Sequence, residues 1–488
     1  MPHRPFPFLA LLCTLTLAVA ARAADNVLTL DEAIRLALEK NQQVKVQSYG
    51  RSIARANLLT ALGQFDPTLN FRRSYAEDGN PASSNPLVTQ LTKTDNYSVA
   101  LEGVMPWGLN YSLGGSAQNQ RGTFNGFTDS FATFGGLTVT QPLLRGFGFG
   151  ASLYGVRVAK ADRAIADWEF QQTVIDTVTS VVIAYSNLAF AQQQLGIAQR
   201  SRELAAGLVA DNEKRFKVGN ISESDVTQAR ARTATRSEAI LFAEQALRDA
   251  ENQLRQLMGE TRFAIDPAPH VLSPPDAPED IVRAAEDLQT AYTLRPDYQA
   301  ARLGLLKHRA NEASARNQLL PQVDFVGSYG YNGLDHNFSA SRHMVANHDN
   351  RSYSAGVVVS VPLTFAQGRG KARAARLQLR QAEADLARLE QDIAIGIAHA
   401  AGQIETTRRR VSANRVAVDL ARQALDDELK KLRAGSGSTF LVLNAQEELA
   451  GVENSLYSSL SAQRQAAASY DRELGRTLTR YNITLGKE

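Results

Sequence analysis

Arg215-Phe216-Lys217-Val218-Gly219-Asn220-Ile221-Ser222-Glu223-Ser224-Asp225-Val226 reads as a tight reversal between two long helices. Gly219 and Asn220 are the residues best able to take the left-handed conformation that ends a helix. Ser222 can cap the next helix, and Glu223 and Asp225 fall in its first turn, where negative charge meets the positive end of the helix dipole. A second stretch, Leu432-Arg433-Ala434-Gly435-Ser436-Gly437-Ser438-Thr439-Phe440-Leu441-Val442, sets Gly435 in the place of Gly219, Ser438 in that of Ser222 and Val442 in that of Val226. Two tips built alike predict an internal repeat.

The flanks of both tips suit long helices. No proline occurs from Leu143 to Asp266 or from Leu363 to the C-terminus, and a proline in a helix interior costs about 3 kcal/mol. Helices are expected over residues 152–217 and 369–433, each about 100 Å long at 1.5 Å per residue. After the first tip, Val226, Ala229, Thr233, Arg236, Ile240, Ala243, Leu247, Ala250, Leu254 and Leu257 keep a strict 3-4 spacing. After the second, Val442, Ala445, Leu449, Val452, Leu456, Ser459, Gln463, Ala466, Tyr470 and Glu473 repeat it at the same offset. Upstream of the first tip, Val174, Val178, Val181, Tyr185, Leu188 and Leu195 fit as well. A period of about 3.5 residues means coiled-coil packing. The seam is diluted with Thr, Ser, Gln and Arg, which suits a wall with neighbours on both sides and water on one face; a two-stranded coiled coil also carries scattered polar residues.

Further outward the period changes. Thr29-Leu30-Asp31-Glu32 is a capping box opening a helix that reaches about Leu62 with a break near Asn41. Pro67 to Tyr75 alternates, with Leu69, Phe71 and Arg73 on one side; Tyr97 to Met105, Leu109 to Gly115 and Phe134 to Gln141 alternate too. Segments 67–142 are therefore read as strands, with loops at Glu77 to Asp95 and Asn119 to Ser130. Such alternating segments match a membrane-spanning barrel, although a soluble sheet alternates in the same way. Asp266 to Pro278 carries five prolines and reads as an extended connector. Beyond it, helices are expected at 280–294 and 297–320, strands at Gln322 to Tyr331 and Ser352 to Val361, and a polar loop between them. Arg55-Ala56-Asn57 before Pro67 returns as Arg309-Ala310-Asn311 before Pro321, and Phe71 as Phe325. The expected organisation is a leader at 1–23, a first repeat at 24–265 (strands about 67–142, helical hairpin about 152–258), a connector at 266–279 and a second repeat at 280–488 (strands about 322–362, hairpin about 369–474).

Composition narrows the function. Arg4, the apolar run Phe6 to Ala20 and Ala21-Arg22-Ala23 form a secretory leader cleaved before Ala24. The single cysteine, Cys13, lies inside it, so the mature chain offers neither disulfide nor thiolate metal site. Without Arg4 and Arg22, the 53 basic residues fall to 51 against 50 acidic ones, a balance that gives no reason to expect nucleic acid. No later run of about 18 apolar residues marks a transmembrane helix, so contact with a membrane requires a β-barrel.

Several signals carry no chemistry. Gly146-Phe147-Gly148-Phe149-Gly150 lacks the spacing of a phosphate loop and reads as a strand-to-helix corner. His336, His343 and His348, with Asp335 and Asp349, share one segment at irregular spacing, which suits an external loop better than a metal site. No Ser-His-Asp, HExxH or nucleophile-elbow pattern is present, so no enzyme, cofactor or metal is expected.

The order and duplication of Leu30-Asp31-Glu32-Ala33, the corners Gln141-Pro142-Leu143 and Val361-Pro362-Leu363, and the tips at Gly219 and Gly435 make the mature chain resemble the TolC family of outer-membrane channel proteins. The resemblance implies a mainly α fold with a β-barrel part: a homotrimer whose strands share one barrel in outer-membrane lipid and whose helices form a hollow periplasmic cylinder in a Gram-negative bacterium. It implies a passive exit duct for efflux or type I secretion, docking through its tips on a periplasmic adaptor joined to an inner-membrane pump. The docking residues would be Val218, Gly219, Ser222, Ala434, Gly435 and Ser438; the entrance would be lined by Asp225, Leu441 and Asn444. Two departures stand out. The first repeat holds four strand segments where the family pattern needs two, so 97–115 either enters the barrel or folds over it. Leu441 and Asn444 also stand where some members carry a ring of paired acids, leaving Asp225 either at the pore or simply capping its helix. The competing reading is an exported coiled-coil spacer or adhesin without a conduit.

Overall fold

The computed structural model describes residues 27–82, 85–259, 270–271 and 283–486. The expected leader and all of the connector except His270 and Val271 lie outside them. In chain order the elements are β1 (Val27–Leu28), α1 (Leu30–Lys40), α2 (Gln42–Leu62), β2 (Thr68–Ala82), β3 (Asn85–Val104), β4 (Asn110–Gly122), β5 (Phe131–Pro142), α3 (Gly148–Ser152), α4 (Tyr154–Lys217), α5 (Glu223–Leu257), β6 (His270–Val271), α6 (Ala284–Leu294), α7 (Pro296–Asn317), β7 (Gln322–Asp335), α8 (Phe338–Ala346), β8 (Asn350–Ser360), α9 (Ala366–Arg433), α10 (Thr439–Leu474) and α11 (Thr477–Arg480). Contacts divide the chain into two compact units. One holds the described residues up to Ser48 with Phe170–Pro296 and Glu390 onward; the other holds Tyr49–Glu169 and Asp297–Leu389. Each unit thus draws on both sequence repeats.

The first unit is helical, and the heptad positions make its core. Val174, Val178, Val181, Tyr185 and Leu188 of α4 are buried against Leu28, Ala33, Ile34 and Ala37 from the start of the chain and Leu254 and Met258 from the end of α5. All ten spaced positions of α5, and all ten of α10, are buried or half-buried. Tyr185 takes its hydroxyl into this core by donating to the Leu28 carbonyl at 2.8 Å, which removes the cost of an unpaired buried donor. One stretch of α4 is long and apolar enough to cross a membrane, against the expectation from sequence, but 72% of it is buried inside the protein. It is core. Asn41 separates α1 from α2 as expected: its Nδ2 donates to the Leu257 carbonyl at 2.8 Å while its Oδ1 accepts from Gln43 N at 2.8 Å.

The second unit is built on a six-stranded sheet in the order β2-β3-β4-β5-β7-β8, antiparallel throughout. Register settles what each face is made of. Leu69, Leu101, Leu113, Leu137, Tyr329 and Tyr353 lie side by side in one row across all six strands. The row displaced by one residue is Thr68, Glu102, Ser112, Thr138, Ser328 and Ser354. Because side chains alternate between faces, one face is apolar and the other polar. The apolar side chains are exposed, Leu69 at 73%, Phe71 at 71% and Val359 at 60%. On the polar face Glu102 accepts from Asn70 Nδ2 at 2.6 Å and from Ser112 Oγ at 3.3 Å. An apolar outside and a polar inside are what a water-filled barrel in lipid needs.

Three loops expected from sequence are different in the structure. Glu77 to Asp95 is not a solvated loop: β2 and β3 pair through it from Glu77↔Lys93 to Pro81↔Thr89. Asn119 to Ser130 carries the end of β4, up to Gly122. The polar segment after Tyr331 continues β7 to Asp335 and then forms α8, held to β5 by the Thr133 and Ser341 hydroxyls at 2.7 Å. Polar composition resembled a loop in each case, yet β2 and β3 stay paired as far as Pro81↔Thr89, β4 runs on to Gly122, and Ser341 of α8 is buried against Thr133.

Candidate functional site

Both tips end their first helix with the same two hydrogen bonds. At the first, Gly219 N donates to Phe216 O at 2.9 Å and Asn220 N to Arg215 O at 3.0 Å; at the second, Gly435 N donates to Leu432 O at 3.3 Å and Ser436 N to Lys431 O at 3.0 Å. Gly219 has φ +75° and Gly435 φ +73°, the left-handed conformation that a side chain disfavours. The last turn of each preceding helix carries three basic residues, Lys214, Arg215 and Lys217 in one and Lys430, Lys431 and Arg433 in the other. These cations meet the negative end of the helix dipole. They stand at the same offsets before Gly219 and Gly435, a match that is already present in the sequence.

The tips differ in how the next helix begins. Ser222 Oγ accepts from Asp225 N at 3.3 Å and donates to Asp225 Oδ2 at 2.8 Å, and Ser222 N donates to the same carboxylate at 3.2 Å. Asp225 therefore completes a reciprocal cap of α5. At the second tip Leu441 N donates to Ser438 Oγ at 3.3 Å, and leucine returns nothing. A second glycine shapes that turn instead: a Cβ on Gly437 would lie 2.7 Å from Leu432 N.

Of the expected docking residues, Val218, Gly219, Ser222, Ala434, Gly435 and Ser438 are all exposed, Val218 at 70%. Leu441 is exposed, while Asp225 and Asn444 are half-buried. Beneath the tips the two hairpins are joined. Leu208, Leu425, Leu432, Val442 and Leu443 form a small core, and Arg215 donates to the Leu432 carbonyl at 3.1 Å. Arg236, which the heptad pattern treated as one polar seam residue among several, is a junction: it donates to Ser201 O at 3.0 Å, Gln446 Oε1 at 2.9 Å and Leu443 O at 3.2 Å. Burial lowers its pKa from the ordinary guanidinium value, with Glu447 acting in the opposite sense.

The expected histidine segment is dispersed. His336 Nδ1 lies 2.7 Å from the Asp129 carbonyl, and His348 packs edge-on to Tyr331 with centroids 4.4 Å apart. Trp107 sits in the turn between β3 and β4, edge-on to Phe149.

A family model described as "Outer membrane efflux protein" matches residues 33–260 and 288–476. The chain is 26% identical over 283 residues to the outer membrane efflux protein BepC of Brucella suis, a match covering 58% of this chain and 59% of that one. It is 25% identical over 350 residues to the alkaline protease secretion protein AprF of Pseudomonas aeruginosa, covering 69% of this chain and 68% of the relative. The chain thus spans less than two thirds of the length of the first of these relatives. Its fold is similar to that of the outer-membrane channel OprN, with a TM-score of 0.71 at 18% identity over 91% of this chain and 89% of that one.

Proposed function

The chain belongs to the outer membrane efflux protein family, and from that premise we propose that it is a passive exit duct for efflux or type I secretion. Its place is the outer membrane, with a large periplasmic part, and its fold is that of a channel. The observation that carries the reading is the sheet: six antiparallel strands with an exposed apolar face, a polar face and two free edges, which a spacer or adhesin has no use for. Open edges are not tolerated in lipid, so three copies share one barrel. Energy and selectivity come from an adaptor and an inner-membrane pump, because a wide aqueous duct makes few selective contacts.

The exposed tip residues Val218, Gly219, Ser222, Ala434, Gly435 and Ser438 form the docking surface for the adaptor. The duplication and the shared cap geometry support this, since two equivalent surfaces per copy present a repeating pattern to a partner. Asp225, Leu441 and Asn444 lie at the entrance. Asp225 is committed to its own helix cap, so the entrance works without a ring of paired carboxylates. No catalytic role is assigned to any residue. Single-channel recording of the purified protein in planar bilayers is expected to show discrete ion-conducting steps. Recovery of the mature protein as a soluble periplasmic monomer would overturn the reading.

A further inference from the structure

The internal duplication accounts for four of the six strands. β2 starts just after Pro67 as β7 starts just after Pro321, and β5 ends at Pro142 as β8 ends just before Pro362. β2 therefore corresponds to β7, and β5 to β8. In the second repeat these two strands are neighbours, joined through α8. In the first repeat β3 and β4 stand between them and have no counterpart.

This extra hairpin is not a flap over the sheet. β3 pairs with β2 from Thr68↔Glu102 onward and with β4 from Val104↔Asn110 to Thr92↔Gly122, and β4 pairs with β5 over ten positions from Asn110↔Thr140 to Asn119↔Phe131. Its residues also keep the chemistry of the faces: Leu101 and Leu113 continue the apolar row, Glu102 and Ser112 the polar one. We propose that β3 and β4 are an inserted hairpin that widens the shared barrel, three copies closing β2 of one against β8 of the next into eighteen strands. The duplicated strands alone would give twelve. The inference rests on the trimeric exit-duct reading.

Two features of the sheet fit that closure. Six strands are fewer than the eight of the smallest membrane barrels, so one copy cannot close on itself. Because the strand number is even, β2 and β8 run in opposite directions, and the junction between copies continues the antiparallel order with the apolar face outward. With strands about 4.8 Å apart and tilted by about 40°, eighteen strands enclose a barrel about 36 Å across between backbones, against about 24 Å for twelve. The cross-section rises about twofold on that geometry, admitting cargo too thick for the narrower barrel.

The test uses the full mature chain, which holds no cysteine once the expected leader, with the single Cys13, is removed. Imaging of the wild-type protein in lipid nanodiscs is expected to resolve eighteen strands. In the membrane, a Phe71→Cys, Val99→Cys pair, directly opposite in register, is expected to oxidise within one chain. Val357→Cys combined in turn with Leu69→Cys, Phe71→Cys or Arg73→Cys is expected to give a covalently linked trimer in at least one combination. A trimer with twelve strands, in which the Phe71 and Val99 pair stays reduced, overturns the inserted-hairpin proposal and leaves the duct reading standing. A monomer by analytical ultracentrifugation before oxidation overturns the duct reading and the proposal together.

Discussion

At the first tip the outgoing helix is capped in both directions, Ser222 and Asp225 each serving the other's backbone or side chain. At the second, Ser438 receives the Leu441 N–H and nothing is returned, because position 441 holds no acceptor. The incoming helices end alike, down to the pair of hydrogen bonds and the positive φ of Gly219 and Gly435. Duplication has thus kept the stop and let the start diverge. Ending each helix here needs a residue at positive φ, which glycine supplies, whereas a helix start tolerates half a cap at a cost of about 1 kcal/mol.

The shared stop is the part whose loss costs most. Proline at Gly219 or Gly435 would impose a negative φ where the chain needs +75° or +73° and would delete the N–H that bonds to Phe216 O or Leu432 O. Each substitution is expected to destabilise its tip by about 3 kcal/mol or more. Export measured in cells should fall to background for both variants, while trimers remain in the outer-membrane fraction, since the sheet is built in a separate compact unit. Full export from either variant alone would show that the two tips are not equivalent in docking.

The next contrast lies deeper in the helices, where Arg236 of the first repeat has Val452 as its counterpart. Arg236→Val removes donors to Ser201 O, Gln446 Oε1 and Leu443 O; the two carbonyls keep their intrahelical bonds, so the expected cost is about 1–2 kcal/mol, mainly from Gln446 Oε1 losing this partner. Hydrogen exchange in α5 and α10 near these residues should accelerate about fivefold or more, in line with the factor that one kcal/mol makes in an opening equilibrium. Unchanged exchange would mean that water replaces the guanidinium at no cost.

Arg236 also marks how far the sequence could be read. The long helices, their heptad seam and both tips were legible, because proline absence, 3-4 spacing and glycine placement are local properties of the chain. Strand alternation was legible where one side chain in two is apolar, as at Leu69 and Phe71. It failed from Glu77 to Asp95, where β2 and β3 still pair but few apolar side chains alternate. α8 was missed because serine, histidine and asparagine surround it, and only packing on β5 and β7 explains why it folds. The role of Arg236 depends on α4 and α10 lying beside α5, which no local pattern encodes. In the sequence Asp225 fits both a pore and a cap; the distances to Ser222 place its carboxylate on the cap, and its part at the entrance is a proposal.

That placement can be tested against the second tip. Asp225→Ala leaves Ser222 with half a cap, the state in which Ser438 already stands, and is expected to cost about 1 kcal/mol. Exchange in the first turn of α5 should rise about fivefold, to resemble that of α10. If single-channel conductance or ion selectivity changed while exchange did not, Asp225 would be acting on the pore instead.

The reverse substitution, Leu441→Asp, is the smallest change and the most informative one. Leu441 is 48% exposed, so its replacement leaves no buried cavity. The new carboxylate would lie three residues after Ser438, where it can accept from the Ser438 N–H as Asp225 accepts from Ser222 N. The gain should be about 0.5–1 kcal/mol, from a completed cap and from negative charge at a helix N-terminus. Exchange in the first turn of α10 is therefore expected to slow. The same substitution would place one acid per copy at the entrance, and a carboxylate committed to its own cap has little charge left to offer a cation. Leu441→Asp should then stabilise the tip without making conductance sensitive to divalent cations. Block by such cations in bilayer recordings would show that the added acid faces the lumen, and by symmetry of the two tips would return Asp225 to the gate.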